Sequence, residues 1–580
     1  MGERSDLIGH GRHALRFFRP YRLRIALALA GGFIAILLSH SIPLIVRHLI
    51  DVVIPAGATG SLLPTVGFLF FVVIMSATLT LTYIYLSMVV QERASLDISS
   101  MLFGRLEHAS LEAIEHEQTG DLITTIDSDA SRTTDYAMRL IDDIPTNVIV
   151  LSYIFIILLV MDYRLLLLSL VVVPPLVISQ WRFGTLIHAQ SSSLRSAFGE
   201  YLSFLEDRIR HIKLVQLFNR EDDETRTFTR RGEQVVKESI RVAVLQEGAV
   251  AVSTFLTHFS LALVLGVAAY LVMIGDLTIG TMVAFYGYQV SLYAPIRKLM
   301  NTHASLQQDA VSVERVRALE EQAKQLAEPE EPEPIPASPY VFSFENISLV
   351  RGERTVFSEL NATFPPGKLI GVTGASGSGK STLLQLLYRF MDPDRGLVTL
   401  NGRDVRSYSS ESYRRLVAFV ANQPMLLPGS IAENIRFAQK DVTQDEIEKA
   451  ARFADLEDFI GSLKDGYDTS IGDLEDQLSN GQRARIAIAR ALIKNASLYL
   501  FDETTSGLDA LTEARIQRMW WLLRSSGATV VVTSHQIRSI KHSDRIIVLA
   551  DGRVAEQGTY DELMGRDSIL RELDRLQKRS

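Results

Sequence analysis

Hydrophobic residues in the first half of this chain fall in long, nearly unbroken runs, not in the one-faced stripes of soluble helices. Crossing a bilayer takes about 20 consecutive apolar residues. Runs of that order lie at Ile25–Ile45, Leu63–Val90, Ile144–Met161, Leu165–Trp181, Val250–Met273 and Ile279–Leu299. Only Asp162, Tyr163 and Arg164 separate the third from the fourth. As one helix the pair would run about 57 Å, nearly twice the hydrocarbon thickness, so the pattern predicts a hairpin. Pro174-Pro175 then kinks the fourth span. Between the runs, Leu102, Leu106, Ser110 and Ile114 recur at helical spacing, which predicts helices continuing beyond the membrane.

Beyond about Met300 the pattern changes. After Pro339 short apolar strands alternate with helical stretches, the signature of an α/β domain. Ala327–Pro339 (AEPEEPEPIPASP) separates the halves; its prolines cannot continue a helix and its glutamates repel, so it reads as an extended tether. The expected organisation is a transmembrane domain at 1–325, a linker at 326–339 and a second domain at 340–580.

Charge adds orientation. Arg12–Arg24 and the long stretches Gln91–Asp143 and Arg182–Gly248 are rich in Lys and Arg. The short connections Asp51–Leu62, Asp162–Arg164 and Gly275–Thr278 hold only Arg164 as a basic residue. The positive-inside rule puts the long stretches and both termini in the cytoplasm, in a multi-pass protein of the cell (inner) membrane. The residues before the first span do not form a secretory signal, because charge persists to Arg24 and no small-residue cleavage site follows a short apolar core. The hydrophobic fraction is 47%, charged residues are 22% and mean hydropathy is +0.15. A net charge of −8 gives no basic face for nucleic acid, and none is expected as a partner. Zero cysteines exclude disulfides, thiolate metal sites and a cysteine nucleophile. No histidine–carboxylate spacing suggests zinc.

The strongest local signal is Gly374-Ala-Ser376-Gly377-Ser-Gly379-Lys380-Ser381-Thr382, after the apolar strand Lys368–Thr373 and before the helical run Leu383–Leu387. That setting is what a phosphate-binding loop requires. Glycines let backbone N–H groups turn in around phosphates, and the helix N-terminus adds partial positive charge. Lys380 would reach the β- and γ-phosphates of a nucleotide and Ser381 would ligate magnesium. Leu498-Tyr-Leu-Phe-Asp502-Glu503 is an apolar strand ending in two carboxylates, with Asp502 suited to the magnesium shell and Glu503 to orienting or deprotonating water.

Leu478-Ser479-Asn480-Gly481-Gln482, just before that strand, resembles the signature motif of ABC ATPases. Gln423 in Val-Ala-Asn-Gln-Pro looks like the Q-loop, Ser506-Gly-Leu-Asp509 like the D-loop, and His535 in Thr-Ser-His-Gln like the switch histidine. Tyr21-Arg-Leu-Arg24, Leu49-Ile-Asp51, Ala294-Pro-Ile296 and Glu314-Arg-Val-Arg317 are similar to single-chain half-exporters of that family. The resemblance covers nearly the whole chain. It implies six transmembrane helices with long cytoplasmic extensions, fused to an α/β P-loop (RecA-like) ATPase domain with a small β-subdomain and a helical subdomain. It also implies ATP and Mg2+ as cofactors and a head-to-tail dimer gripping two ATP molecules. The loop Gly374–Ser381 of one protomer would then face Ser479, Gly481 and Gln482 of the other, and Asp509 would also belong to the nucleotide site. His535 would hold the γ-phosphate and water, and Gln423 would connect magnesium to the membrane domain. Coupling segments would lie near Leu111–Gln118 and Leu214–Arg220. The cargo expected is amphipathic: a drug, lipid, peptide or metabolite.

Two positions depart from the family. Arg351 stands where an aromatic residue usually stacks on adenine; an arginine plane can stack too, or a neighbour does so instead. Asn480 stands where glycine is usual. Since Glu503 and His535 are intact, this chain is either a homodimer, the preferred reading, or the catalytic member of a heterodimer. A transporter-like ATPase that moves nothing is a third possibility. Arg47, His40, His48 and His258 intrude on apolar runs, Arg47 being the best candidate for a translocation cavity, although anchoring or packing explains them as well. Tyr286, Tyr288 and Tyr293 either line such a cavity or belong to the core.

Overall fold

A computed structural model describes residues 2–57, 59–110, 118–322, 326, 328–352, 354–474, 478–506 and 508–579. The chain divides into two compact units, Met1–Glu107 with Glu117–Gln322, and His108–His116 with Ala323–Ser580.

The first unit is all helical. Its long members are Arg22–His48, Thr59–Glu107, Ile144–Met161, Val173–Arg210, Glu221–Met273 and Ile279–Gln322. At 1.5 Å per residue, the 49 residues of Thr59–Glu107 run about 74 Å, far beyond a hydrocarbon core, so the helices extend well past their apolar runs. Large apolar side chains such as Leu63, Phe70, Phe71, Ile74 and Leu81 face outward, as they do where lipid replaces water. Asp162 makes the tight turn after Met161. Its backbone is extended, and its carboxylate accepts from the N–H groups of Arg164 (2.8 Å) and Leu165 (3.2 Å), capping the next helix. That helix stops at Leu170 and resumes at Val173, with Pro174 and Pro175 in its first turn.

Among the described residues, five stretches are long and apolar enough to cross a membrane: Arg19–Val53, Thr59–Glu107, Thr119–Met161, Tyr163–Arg210 and Glu221–Met273. Ile279–Gln322 is as long as its neighbours but falls outside this set. Its apolar run is diluted by Tyr286, Tyr288, Gln289 and Tyr293, and all of these but Tyr286 are buried. Ser260 and Tyr293 share a 2.6 Å hydroxyl hydrogen bond, Gln289 donates to Ser260 (3.0 Å), and the Tyr293 hydroxyl reaches the Ser169 carbonyl (3.3 Å). Tyr288 donates to the carbonyl of His40. Tyr288 and Tyr293 are thus packing residues, and Tyr286 is the exposed one. Arg47 lies 3.7 Å from Asp51, which in turn accepts from Thr278 (2.5 Å) and from the Gly280 N–H (2.8 Å).

Among the described residues, three π-helical turns interrupt this unit, at Leu49–Val53, Thr125–Asp129 and Arg139–Asp143. Each presents an aspartate that binds another helix. Asp51 holds Gly280, Asp129 accepts from Ser312 (2.6 Å), and Asp142 accepts from Tyr83. Glu320 gathers Arg16 and Arg105 (2.8 Å).

The second unit is built on two sheets. A four-stranded sheet has the order β2-β1-β4-β5, and a six-stranded sheet the order β10-β9-β3-β8-β7-β6. The first comprises β1 (Phe342–Arg351), β2 (Arg354–Phe364), β4 (Arg395–Leu400) and β5 (Arg403–Asp404). The second has β3 (Leu369–Gly374), β6 (Val417–Val420), β7 (Leu498–Asp502), β8 (Thr529–Thr533) and β9 (Arg545–Ala550) in parallel, with β10 (Arg553–Gly558) antiparallel at its edge. Every residue of β3, β7 and β8 is buried, which is why their apolar runs do not alternate. Helices Ile431–Arg436, Gln444–Phe453, Glu457–Gly461 and Asn480–Ile493 share a core with one face of this sheet. The Pro/Glu segment is extended but anchored: the Glu333 N–H donates to the Ser407 carbonyl (2.9 Å), its side chain pairs with Arg403, and Ile335 packs on the core.

Candidate nucleotide site

The parallel register brings the carboxyl ends of β3, β7 and β8 side by side, pairing Val372 with Thr533 and Asp502 with Thr533. Loops leaving these ends carry the predicted chemistry, as expected for an open α/β sheet. Gly374, Gly377 and Gly379 have φ of 157°, 75° and 95°. Two of them also lack room for a side chain: a Cβ on Gly374 would lie 2.4 Å from the Leu549 carbonyl oxygen, and one on Gly379 2.7 Å from the Phe357 ring. The loop thus turns back under its own N–H groups and feeds the helix Lys380–Leu387.

Lys380 is buried. Its ammonium donates to the carbonyls of Gly374 (3.2 Å) and Ala375 (3.3 Å) and lies 3.6 Å from a Glu503 oxygen. The other Glu503 oxygen is 3.4 Å from His535 Nδ1. Glu503 itself sits in left-handed backbone, φ 46°, held there by its N–H donating to the Thr533 carbonyl and hydroxyl (both 3.1 Å). Glu503 therefore bridges Lys380 and His535 through its two oxygens. Beside it, the Ser381 hydroxyl donates to Asp502 Oδ1 (3.1 Å), which also accepts from Thr533 (2.6 Å).

This donor set fits magnesium. A hydroxyl and one carboxylate converge on one side of the phosphate loop, and magnesium commonly takes one or two carboxylates, waters and phosphate oxygens. No group of three or more His, Asp or Glu that could hold a metal occurs among the described residues. Ser376 and Gln423 are exposed, and Thr382 is half-buried in the first turn of the helix. The chain after Gln423 is tied down by Asn434 and Arg490: Asn434 bonds Leu427 through both N–H and carbonyl (2.8 Å each), and Arg490 reaches the carbonyls of Met425 and Asn434 (2.8 Å each).

The signature residues form a second cluster. Ser479 caps the helix Asn480–Ile493 in a reciprocal box with Gln482: its hydroxyl accepts from the Gln482 N–H (3.2 Å), and Gln482 Oε1 accepts from the Ser479 N–H (2.8 Å). Asn480 is exposed and leaves this box complete. A Cβ on Gly481 would meet the Thr512 methyl at 2.9 Å, and Thr512 is gripped by Asp509, the cap of the helix Ala510–Ser525. The Thr512 hydroxyl and N–H hold the Asp509 carboxyl below its usual range. Gly507 and residues 111–117 of the first expected coupling segment lie outside the described residues; the second overlaps the short helix Ile212–Leu217, with Leu214, Leu217 and Phe218 exposed.

Arg351 turns its guanidinium onto the Met391 sulfur (2.9 Å). Its hairpin neighbour Arg354 reaches the phosphate loop, donating to the Gly377 carbonyl (2.8 Å). Sequence reasoning missed Arg354, Asn434 and Arg490, because nothing in spacing tells which arginine of a hairpin turns inward. It also missed Lys494, which donates to the Val417 carbonyl (2.6 Å) and the Tyr388 hydroxyl (3.3 Å). Burial, then nearby Arg414, push Lys494 down to about 8.

Residues 25–296 match the ABC transporter transmembrane region and 357–506 the ABC transporter family. The chain belongs to the ABC transporters, and it couples ATP hydrolysis to transport across a membrane as a half-transporter. Over 580 residues it is 30% identical to the "Putative multidrug export ATP-binding/permease protein YgaD" of Bacillus subtilis (strain 168), covering 98% of this chain and 100% of that one. It is 27% identical to the "ATP-dependent lipid A-core flippase" of Syntrophus aciditrophicus (strain SB), covering 99% of this chain and 95% of that one. A bacterial Atm1-family ABC exporter solved with ATP bound shares its fold, with a TM-score of 0.78 at 24% identity over 96% of this chain and 98% of that one.

Proposed function

We propose that this chain exports an amphipathic compound (a drug, lipid, peptide or metabolite) across the cytoplasmic membrane as a homodimer, with both termini cytoplasmic. In this reading residues 1–325 form the membrane domain with six crossings, 326–339 the linker and 340–580 the nucleotide domain. The relatives named for multidrug export and lipid A-core flipping support an apolar or amphipathic cargo.

The observation carrying the proposal is the chain Lys380–Glu503–His535 beside Ser381–Asp502. The phosphate-loop N–H groups, with Ser376 and Thr382, cradle the phosphates. Lys380 exchanges its loop carbonyls and Glu503 for the β- and γ-phosphates, which frees the Glu503 carboxylate to take a proton from water. His535, 3.4 Å from that carboxylate, orients it and the γ-phosphate. Ser381, Asp502 and Gln423 would hold magnesium, which supplies charge neutralisation on the phosphates when bound. Ser479, Gly481, Gln482 and Asp509 of a second copy close the site. Arg351 or Arg354 stacks on the base. ATP then favours the closed dimer and hydrolysis releases it. Asn480 is the observation that keeps a heterodimer as the alternative.

Replacing Glu503 by Gln tests the assignment. In lipid-reconstituted protein, steady hydrolysis should fall by about 10²–10⁴-fold while ATP still binds. Persistent turnover would remove Glu503 from its role. Uptake of an amphipathic dye into inverted vesicles, abolished in the same variant, tests export; ATP hydrolysis without any flux would favour a regulator that moves no cargo.

A further inference from the structure

The helix Ile569–Arg579 runs along the nucleotide unit with one face packed. Leu570 is fully buried, Leu573 packs against the same core, and Gln577 occupies the next position of that stripe, at i, i+3 and i+7. The start of the helix is fixed: the Glu556 carboxylate on β10 accepts from the N–H groups of Ile569 (2.9 Å) and Leu570 (3.4 Å). The position of Gln577 is exposed and carries an amide. That amide spans the loop after β8. Its Nε2 donates to the His535 carbonyl, and its Oε1 accepts from the Ile537 N–H (3.0 Å). Both bonds are to main chain, on either side of Gln536, which is itself held by Ser534 (3.0 Å).

The His535 imidazole is about half exposed and has Glu503 as its carboxylate neighbour. Its backbone must therefore be held from outside the sheet, since β8 ends at Thr533. We propose that Gln577 is a positioning residue for hydrolysis: it clamps the His535 loop, so that the helix Ile569–Arg579 sets the rate at which bound ATP is cleaved. The inference rests on the reading of Glu503 and His535 given above. Anything that grips or shifts this helix would then change turnover without touching the nucleotide.

A double-mutant cycle in the full-length, lipid-reconstituted protein tests it, with ATP as the probe. Gln577→Ala should lower kcat about five- to tenfold, since two main-chain groups lose their partner, with the KM for ATP within about twofold. Added to His535→Ala, it should lower single-turnover hydrolysis no further, because its effect passes through the histidine. Gln577→Glu keeps the acceptor for Ile537 and loses the donor to His535, so its kcat should fall between the two; this variant decides the matter if the alanine variant folds poorly. Wild-type kcat in both Gln577 variants, a change in KM alone, or an equal further loss in the His535→Ala background overturns the inference and leaves the site reading standing. Wild-type kcat in His535→Ala overturns both.

Discussion

Two polar clusters in this chain are built on opposite logic. At the ends of β3, β7 and β8, Lys380, Ser381, Asp502, Glu503 and His535 come from three strand ends that the register forces together, and each stands in a short segment of fixed type. Inside the membrane unit, Ser169, Ser260, Gln289 and Tyr293 also meet, buried and bonded, yet no segment around them has a distinctive pattern. The first cluster must bind a charged, water-soluble ligand of set geometry, so its loop needs glycines, a lysine and acids at set spacing. The second must only satisfy a few polar atoms where water is scarce, and many residue pairs on facing helices do that equally well. Chemistry imposes spelling; packing imposes only size and polarity.

The sharpest way to break this contrast is to change backbone rather than charge in the first cluster. Gly379→Ala would force a Cβ at φ 95° to within 2.7 Å of the Phe357 ring. ATP affinity should drop by at least about 100-fold, as neither the loop nor a buried ring can yield cheaply. Isothermal titration with a non-hydrolysed ATP analogue reads this directly; near-normal affinity would mean the loop tolerates spelling changes after all.

A middle-sized effect comes from Lys494, which shows that a charge in the nucleotide unit can be as unscripted as one in the membrane. Its folded-state pKa, about 8, lies below the ordinary 10.5, so below pH 8 folding carries the cost of a partly buried ammonium. The unfolded chain binds the proton more readily, and stability must rise as pH climbs from 8 to 10.5. After allowance for solvent screening the gain is about 1–2 kcal/mol. Relative to Lys494→Met, wild-type thermal stability should improve across that window; a constant difference would show that Lys494 does not titrate there.

The smallest effect belongs to the membrane cluster. Ser260→Ala removes the hydroxyl shared by Tyr293 and Gln289, yet should cost only about 0.6 kcal/mol in unfolding from detergent or lipid. A loss of several kcal/mol, or of transport with stability intact, would turn this cluster from packing into machinery.

The same contrast explains what could be read from the sequence. The strand–loop–helix setting of Gly374–Thr382 and the acid pair Asp502-Glu503 where β7 ends are local, and local pattern was enough. The hairpin at Asp162 and the break before Pro174 were legible too, because length limits and proline geometry act over a few residues. Arg354 and Gln577 reach their partners from 23 and 42 residues away, through the register of a hairpin and the packing of a helix, and no periodicity encodes that. The run Ile279–Leu299 stood out by its apolar residues, whereas its buried tyrosines and Gln289 carry as much of its packing.

The three π turns carry a genetic consequence. Each holds one amino acid more than an α-helix needs over the same length. Loss of a single codon within Arg139–Asp143 would thus return the turn to ordinary α-winding with the flanking segments close to their present facing, removing the widened turn that presents Asp142 to Tyr83. Point substitutions search side chains at this place; only insertions and deletions search its winding, and a one-residue deletion is the one the helix can absorb here.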